Sequence, residues 1–520
     1  MRHFVLVSVL LALSALVSSN EVKTQISKHV AIVSGCDSHL YIVIPTAYAL
    51  LRKTTAGKYR VTFVTGSECK KTVENLGSDV VHHDSGLWLH PNYDTSISTA
   101  EYYENITVGS VIHPYRAMQS LAKEDKPDLI IAESFSVGAS IVAETQNIPL
   151  LFHYTPGISH IVTWLGGSDI SVGAFQHVDP KTTPMFIQRL VATVFFSVEI
   201  LLSDYFCKPG AAVFEKIRRE MGLNDSYDNY EHVISSFPSF SAVGEPISQM
   251  FDVPPNKFTL TGLLPSPPET MRVPDELKDF LEQSPKPVLY VSMGTYFVFS
   301  DQTFERVKNF LESQELFNVV WSHRKYSTTR HPIKDRTKMI ILKKVPQKFV
   351  LKHEKVRAFL SHCGISSVIE GLSAGVAFLG APQGRDQFYL SARVASAGLG
   401  LEIGRTPNEP SLREGIEKLH RNLNQYTKNV QNVYKQMSRE SVQKLENLVD
   451  SLISKGGSSK FDPSESLIWS WNQALTHVLM VLIAALTILL YLIKLVMLLA
   501  VRLIDWLFFS EQELKKPKTN

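Results

Sequence analysis

Short apolar runs alternate along this chain with longer stretches in which apolar residues recur every three to four positions. The runs at 29–34, 59–64, 128–132 and 149–153 are typical of buried strands, whereas residues 41–52 have the period of a helix. Strands that alternate with helical segments predict α/β units and parallel sheets. We therefore expect the chain to belong to the α/β class.

A cluster of prolines interrupts this alternation near the middle of the chain. Four prolines lie between residues 265 and 274, and the strand-like run at 288–292 then begins a second series of α/β units. We expect an N-terminal domain over residues 20–264, a linker over 265–275 and a C-terminal domain over 276–455.

The two ends of the chain have the patterns of targeting segments. Residues 1–19 combine an early arginine with an apolar run and small residues, which is typical of a signal peptide. Residues 478–501 are long and apolar enough to span a bilayer, with a buried core helix as the alternative. Basic residues lie mostly after this span, so residues 456–477 lead to the membrane and the tail, 502–520, is expected in the cytosol.

The remaining composition is that of an ordinary globular protein, with 520 residues and a net charge of +3. This near-neutral balance argues against a nucleic-acid partner. Four cysteines are too few for a disulfide framework, so Cys36 and Cys69 either pair or stay free. Asn105 and Asn224 begin glycosylation sequons. The interrupted apolar stretch at 185–206 is either an interfacial helix or a buried one.

The most informative polar residues lie in the C-terminal half. A short apolar run ends at residue 360, just before His362 and Gly364, and a helical period follows. The N-terminus of a helix directly after a strand is a favourable place for a phosphate group. Ser366 and Glu370 are four positions apart and share one face of this helix. Ser366 suits a contact with a phosphate, and Glu370 suits hydrogen bonds with the hydroxyls of a ribose.

Other polar side chains follow neighbouring strand-like runs. Asp386 and Gln387 come after the run at 376–382, and an adjacent carboxylate and amide suit the vicinal hydroxyls of a sugar. Ser292 ends another run, and Gly294 after it allows a ligand to approach the backbone closely. These loops predict a site for a phosphate and a sugar.

A candidate general base lies in the N-terminal half. His39 follows the first strand and precedes a helix, at the edge of an α/β sheet where ligands bind. An imidazole suits this role because its pKa lies near neutral pH, and a carboxylate that orients the ring improves it. Glu133, after a later strand, is the first candidate for that carboxylate, and Asp37 is the second. A surface histidine and solvated carboxylates are the alternatives.

The order and spacing of these residues resemble the nucleotide-sugar signature of the UDP-glycosyltransferases, the glucuronosyl and glucosyl family. That signature has Pro-Gln, then His-x-Gly, then a Glu eight residues after the His, and then Asp-Gln. The context Ser38-His39-Leu40 and the loop 292–295 also resemble family patterns. The matching residues of the signature are Pro346, Gln347, His362, Gly364, Glu370, Pro382, Asp386 and Gln387.

The chain departs from the family pattern at four positions. Lys344 stands where the family has a tryptophan that stacks on uracil, and Glu133 stands where it has an aspartate. Cys363 replaces a second glycine, and Ser366 replaces an asparagine. A lysine lacks the broad stacking face of tryptophan, but its charge attracts a diphosphate or lies against the base as a cation.

The resemblance implies a GT-B architecture, in which two Rossmann-like domains face a cleft, followed by one C-terminal transmembrane helix. It implies inverting transfer of a hexosyl or hexuronosyl group from a UDP-sugar to a hydroxyl of a small lipophilic acceptor, without a cofactor or a metal. His39 would be the base, and Glu133 would orient it. The implied donor-binding residues are Ser292, Gly294, Thr295, Lys344, Gln347, His362, Gly364, Ser366, Glu370, Asp386 and Gln387.

Lys516 and Lys518 resemble the dilysine retrieval signal of many family members. They imply a single-pass type I protein of the endoplasmic reticulum membrane with lumenal catalytic domains. The expected partners are a UDP-sugar donor, a lipophilic acceptor and the lipid bilayer, with no nucleic acid, and a homo-oligomer is left open. The alternative function is a non-catalytic lumenal protein that binds a small molecule or lipid, and a membrane lipid is an alternative acceptor.

Overall fold

The computed structural model of the chain describes residues 27–154, 211–461 and 471–513, apart from short internal gaps. Those gaps are residues 36–37, 53–56, 78, 87–106, 228–232, 235, 245, 248–257, 270, 295–296, 298, 384–385 and 405–406. Within the described ranges, the chain forms two parallel sheets with helices between their strands, so the predicted α/β class is confirmed.

The first sheet has seven strands in the order β3-β2-β1-β4-β5-β6-β7, and every neighbouring pair is parallel. Its central strands β1, β4 and β5 are buried on both faces, as expected where helices cover both sides of a sheet. The elements are β1 (Lys28–Val33), α1 (Ser38–Leu50), β2 (Tyr59–Thr65), α2 (Lys70–Glu74), β3 (Val80–Asp84), α3 (His113–Glu124), β4 (Leu129–Glu133), α4 (Ala139–Thr145), β5 (Leu150–His153), β6 (Ser239–Ser241) and β7 (Phe258–Leu260).

The second sheet has six parallel strands in the order β10-β9-β8-β11-β12-β13. Gly375, with φ +74°, ends the helix that follows β11, as the sequence pattern predicts. The elements are α5 (Asp275–Gln283), β8 (Val288–Ser292), α6 (Asp301–Ser313), β9 (Asn318–Ser322), β10 (Met339–Leu342), α7 (Gln347–Lys352), β11 (Val356–Ser361), α8 (Ile365–Ala374), β12 (Ala377–Gly380), α9 (Asp386–Ser396), β13 (Gly400–Glu402), α10 (Glu409–Arg421), α11 (Leu423–Ser438) and α12 (Ser441–Lys455).

Each sheet has a position at which the order of its strands reverses. In the first sheet β1 lies between β2 and β4, and in the second β8 lies between β9 and β11. The connections on the two sides of such a position cross opposite faces of the sheet, which opens a crevice at the carboxyl ends of the strands. These two crevices are therefore the places at which to look for a ligand site.

Two helices tie the sheets together. Ile42 of α1 is buried in one apolar cluster with Ile365 and Val368 of α8, which belongs to the second sheet. In the other direction, Leu445 and Val449 of α12 are buried in the core of the first sheet. Helix α12, which follows the second sheet in the chain, therefore packs on the first sheet.

A separate helix, α13 (Trp471–Glu513), lies near the end of the chain. Its stretch Leu482–Leu503 is long and apolar enough to cross a membrane, and no other helix among the described residues meets both criteria. This stretch overlaps most of the predicted span, 478–501. Lys494 lies inside this stretch.

Several expectations concern residues outside the described part of the chain. The predicted signal peptide, the stretch at 185–206, Asn105 and Asp37 all lie there. Cys69 is disulfide-bonded, and Cys363 is a free, buried thiol. Asn224 is exposed, as a glycosylated asparagine must be.

Candidate active site

The crevice of the first sheet brings together the two residues predicted to activate an acceptor. His39 lies in the first turn of α1, just after β1, and Glu133 is the last residue of the neighbouring strand β4. The His39 Nδ1 and Glu133 Oε1 atoms are 3.2 Å apart. His39 is 17% exposed at its side chain, whereas Glu133 is 1% exposed. The ring is therefore partly accessible, while the carboxylate that holds it is buried.

Three groups besides the apolar surroundings act on the Glu133 carboxylate. The Ser134 hydroxyl donates to Oε1 at 2.9 Å, and the Phe135 backbone N–H donates to Oε2 at 3.0 Å. Burial pushes the pKa of Glu133 upward, but the charge and hydrogen bond of His39, together with these two donors, hold it below its usual value. The carboxylate is therefore ionised near neutral pH, and the extra methylene of Glu relative to Asp does not prevent the contact with His39.

This pairing determines which ring nitrogen is available for chemistry. A neutral imidazole that donates its Nδ1 hydrogen to Glu133 leaves Nε2 unprotonated. That nitrogen can accept a proton from a hydroxyl, and the buried carboxylate stabilises the imidazolium that forms. The arrangement can thus serve as a general base.

Two further side chains surround this pair, and neither was a candidate from the sequence. The Phe135 ring meets the His39 ring edge-on, with centroids 5.0 Å apart, and is 36% exposed. His153 lies opposite Glu133 in the register of β4 and β5 and is fully buried. Burial lowers the pKa of His153 to about 4, so this second imidazole is neutral and does not neutralise Glu133. The sequence signal for Phe135 is its position two residues after Glu133.

The crevice of the second sheet brings together Ser292, at the end of β8, and His362, just after β11. The His362 ring lies so close to two glycines that a Cβ at Gly294 or at Gly364 would be 2.5 or 2.6 Å from its Nε2 atom. Gly294 also has φ +77°, in the left-handed region that favours glycine. Both glycines are thus required for the ring to lie in this loop.

The electrostatic state of His362 follows from its enclosure. Burial lowers the pKa of His362 to about 4, and a hydrogen bond with the Ser292 backbone only partly opposes this shift. The ring is therefore neutral near pH 7 and acts as a hydrogen-bonding group rather than a cation. The next residue, Cys363, adopts φ +59°, so a non-glycine residue occupies a conformation that glycine prefers.

Gln347 and Glu370 are bonded directly to one another. Gln347 Nε2 donates to Glu370 Oε2 at 2.7 Å, and the Tyr290 hydroxyl donates to Gln347 Oε1 at 3.1 Å. Burial raises the pKa of Glu370, while the bond from Gln347 opposes the shift. Tyr290, buried in β8, was not a candidate from the sequence because it lies within an apolar run. These bonds fix the orientation of the Gln347 amide against the Glu370 carboxylate.

The remaining predicted donor residues are placed less completely. Lys344 is exposed after β10, and Ser366 is half-buried in the first turn of α8. Gln387 Oε1 accepts from the Gln383 backbone N–H at 2.9 Å, which links the start of α9 to the loop after β12. The side chain of Asp386 lies outside the described part of the chain, and so does Thr295. Among the described residues no cluster of metal-ligating side chains occurs.

The helix that carries His39 also approaches the donor loops. Tyr41, two residues after His39, is 58% exposed. Its pKa is raised by burial of part of the phenol and by the charges of Glu269 and Glu370. Together with the packing of Ile42 against α8, this places the N-terminal crevice and the donor helix next to one another. Tyr41 is a fourth residue that sequence patterns did not single out, after Phe135, His153 and Tyr290.

Comparison of the sequence with known proteins points to the same kind of site. The family model described as "UDP-glucoronosyl and UDP-glucosyl transferase" matches residues 12–435. A mogroside IIIx synthase of Siraitia grosvenorii is 24% identical over 366 residues, which cover 65% of this chain and 72% of that protein. Another match of the same name and organism is 27% identical over 205 residues, covering 36% of this chain and 40% of the relative's length.

Solved structures show the same architecture at low sequence identity. The glycotransferase of kitacinnamycin has a TM-score of 0.61 at 17% identity, over 82% of this chain and 99% of that chain. A UDP-glucosyltransferase from Polygonum tinctorium, capable of glucosylating indoxyl, has a TM-score of 0.60 at 15% identity over the same shares. The two parallel α/β domains are therefore those of the GT-B fold, which confirms the architecture predicted from the sequence.

Proposed function

This chain belongs to the UDP-glucuronosyl and UDP-glucosyl transferase family, and we propose that it transfers a hexosyl or hexuronosyl group with inversion to a small lipophilic acceptor, with His39 as the general base. The observation that carries the proposal is the 3.2 Å contact between His39 and the buried Glu133 at the switch point of the first sheet. Helix α1 carries this base and packs on α8, which carries proposed donor-binding residues. The base and the donor site therefore lie on two elements that are in contact.

In the proposed reaction, the acceptor hydroxyl donates its proton to His39 Nε2 while its oxygen attacks the anomeric carbon of the sugar. The bond from that carbon to the diphosphate oxygen breaks on the opposite face, so the configuration inverts and UDP leaves. Backbone N–H groups at the start of α8 and the neutral His362 ring stabilise the charge that develops on the diphosphate.

Two features support the finer parts of the proposal. The exposed face of Phe135 beside His39 offers an apolar surface to the acceptor, which favours a lipophilic compound. The stretch Leu482–Leu503 suits a membrane anchor, and the dilysine pattern suits an endoplasmic reticulum protein with lumenal domains. For the donor site, we retain all eleven residues predicted from the sequence, Thr295 and Asp386 included.

The test is ligand-dependent stability of the full-length protein, purified in detergent. We expect UDP and one UDP-sugar among UDP-glucose, UDP-glucuronic acid and related donors to raise the melting temperature, because a ligand that binds only the folded state stabilises it. Adenosine and guanosine diphosphates are the controls. The sugar that stabilises the protein should also be transferred to phenolic or steroidal acceptors. If no uridine nucleotide raises the melting temperature, the proposal is overturned in favour of a binding protein without transferase activity.

A further inference from the structure

The positive charge of this protein is concentrated near the donor loops. Residues 322–357 contain twelve lysines and arginines but only two carboxylates, although the whole chain has a net charge of +3. The rest of the chain is therefore net negative, and the near-neutral total conceals a strongly basic region. That region runs from the end of β9 to the start of β11.

The strand order brings four of these cations to the donor edge of the second sheet. Because β10, β9, β8 and β11 are neighbours and all parallel, their carboxyl ends lie side by side. The ends of β8 and β11 carry the loops with Ser292 and His362. The ends of β9 and β10 are followed by Arg324, Lys325, Lys343 and Lys344, which we call the donor-edge collar.

The collar is open to a ligand. All four side chains are exposed, and none forms an ion pair within the described part of the chain. One member of the collar, Lys325, acts on the neighbouring His323, whose pKa falls to about 4 chiefly through burial, with the charges of His331 and Lys325 lowering it further. The charge of Asp301, at the start of α6, raises the pKa of His323 and so opposes this shift.

We propose that the donor-edge collar is an electrostatic recognition surface for the nucleotide diphosphate, and that it holds UDP more tightly than a UDP-hexose. This inference rests on the proposed function. Exposed cations beside a crevice attract an anionic ligand and raise its affinity, and the effect is strong where salt does not screen it. A terminal phosphate has a second ionisation that an esterified one lacks, so UDP carries more negative charge than UDP-glucose.

The collar also gives a physical role to the lysine at position 344. A tryptophan there would bind the nucleotide by stacking, which depends little on salt. Lys344 and its three neighbours replace that contribution by charge attraction, which falls as ionic strength rises. Nucleotide affinity in this protein should therefore be unusually sensitive to salt, and product inhibition by UDP should weaken as salt is added.

The test compares two triple variants that remove the same charge. One is Arg324→Gln/Lys325→Gln/Lys343→Gln, which leaves Lys344 in place. The other is the control Lys334→Gln/Lys428→Gln/Lys435→Gln, at exposed lysines on the loop before β10 and on α11. Dissociation constants of uridine, UDP-glucose and UDP would be measured by calorimetry between about 0.01 and 1 M salt, which shortens the screening length from about 30 to about 3 Å.

For the wild type, we expect the salt dependence to increase from uridine to UDP-glucose to UDP. The collar triple should lose about 10-fold in UDP affinity at low salt and converge on the wild type at high salt, whereas the control triple should retain the wild-type curve. Equal salt dependence in the wild type and the collar triple would overturn the inference, and so would equal losses in both triples. If no uridine nucleotide binds the wild type, the proposed function fails together with the collar.

Discussion

The two crevices that make up the candidate site are built in different ways. The acceptor-side crevice depends on two residues that are far apart in the chain, His39 and Glu133, and on a buried carboxylate that holds an imidazole. The donor-side crevice is formed mostly by one continuous stretch, 345–394, whose side chains bond to one another, as Gln347 does to Glu370. The first is an ionised carboxylate that holds an imidazole, and the second is a hydrogen-bonded scaffold around a helix N-terminus, bordered by exposed cations.

This difference indicates how the work of the site is divided. Glu133 is ionised because His39 and two hydrogen-bond donors stabilise its charge in spite of burial, so the first crevice holds a negative charge next to an imidazole. His362 is neutral and the pKa of Glu370 is raised, so the interior of the second crevice offers hydrogen bonds and backbone groups brought close by glycines, and its positive charge lies in the exposed donor-edge collar. Substitutions in the crevice of His39 and Glu133 should therefore affect turnover, and substitutions in the crevice of His362 and Glu370 should affect nucleotide affinity.

The largest effect should come from His39→Ala. Removal of the base should lower kcat by about 10²- to 10⁴-fold, the usual contribution of general base catalysis, while the dissociation constant of UDP stays unchanged. Turnover by product chromatography and UDP binding by calorimetry would be measured on the same preparation. His420→Ala, which removes a half-buried imidazole on α10, is the matched control and should keep wild-type turnover. Wild-type kcat in His39→Ala would refute the assignment of the base.

An intermediate effect is expected from Gly294→Ala, which should act on the donor side alone. The added methyl group would lie 2.5 Å from His362 Nε2, so the ring or the loop must move, and UDP affinity should fall about 10-fold or more. The second effect is the strain of φ +77°, which costs about 1 kcal/mol for a residue with a side chain.

Gly57→Ala separates these two effects. Gly57 has φ +79°, but a Cβ there would meet no atom within 4 Å. This variant should therefore show a similar loss of stability in urea unfolding and no loss of UDP affinity. If Gly294→Ala binds UDP as tightly as Gly57→Ala does, the close packing of His362 is not needed for the nucleotide.

The same comparison explains how much of the site could be predicted from the sequence. The donor crevice is continuous in the chain, so the spacing of His362, Gly364 and Glu370 was visible as a pattern. On the acceptor side, the positions of His39 and Glu133 after apolar runs indicated a sheet edge, because parallel strands end together. Spacing alone did not establish that the two side chains meet.

Contacts that depend on tertiary packing had no comparable signal. Tyr290 lies in an apolar run, and its hydroxyl reaches Gln347 only because β8 and α7 are neighbours in the fold. Similarly, the period of α12 predicts an apolar face but not which sheet it covers. Its packing on the first sheet became evident only from Leu445 and Val449 in that core.

The smallest effect concerns the connection between the two sheets. Asp450 of α12 accepts hydrogen bonds from Lys28 at 2.7 Å, Lys58 at 2.6 Å and Tyr59 at 2.7 Å, all on or next to strands of the first sheet. Burial alone would raise the pKa of Asp450, but these three donors lower it to about 2. Asp450→Asn should cost about 1 kcal/mol of unfolding free energy, since water screens a carboxylate whose side chain is one-third exposed.

The pH dependence of this loss identifies its origin. A carboxyl group whose pKa is lowered by folding stabilises the protein fully above its unfolded value and loses that contribution as pH falls toward its folded value. The difference in urea midpoint between wild type and Asp450→Asn should thus be constant near pH 7 and shrink as pH falls from about 4 toward 2.

The control is Glu315→Gln, which removes an exposed carboxylate between Lys286 and Lys338 of the second α/β series and should have a smaller effect on the urea midpoint. If both variants lose the same amount, the bonds of α12 to the first sheet contribute no more than an ordinary surface ion pair, and the apolar face of α12 alone holds it there.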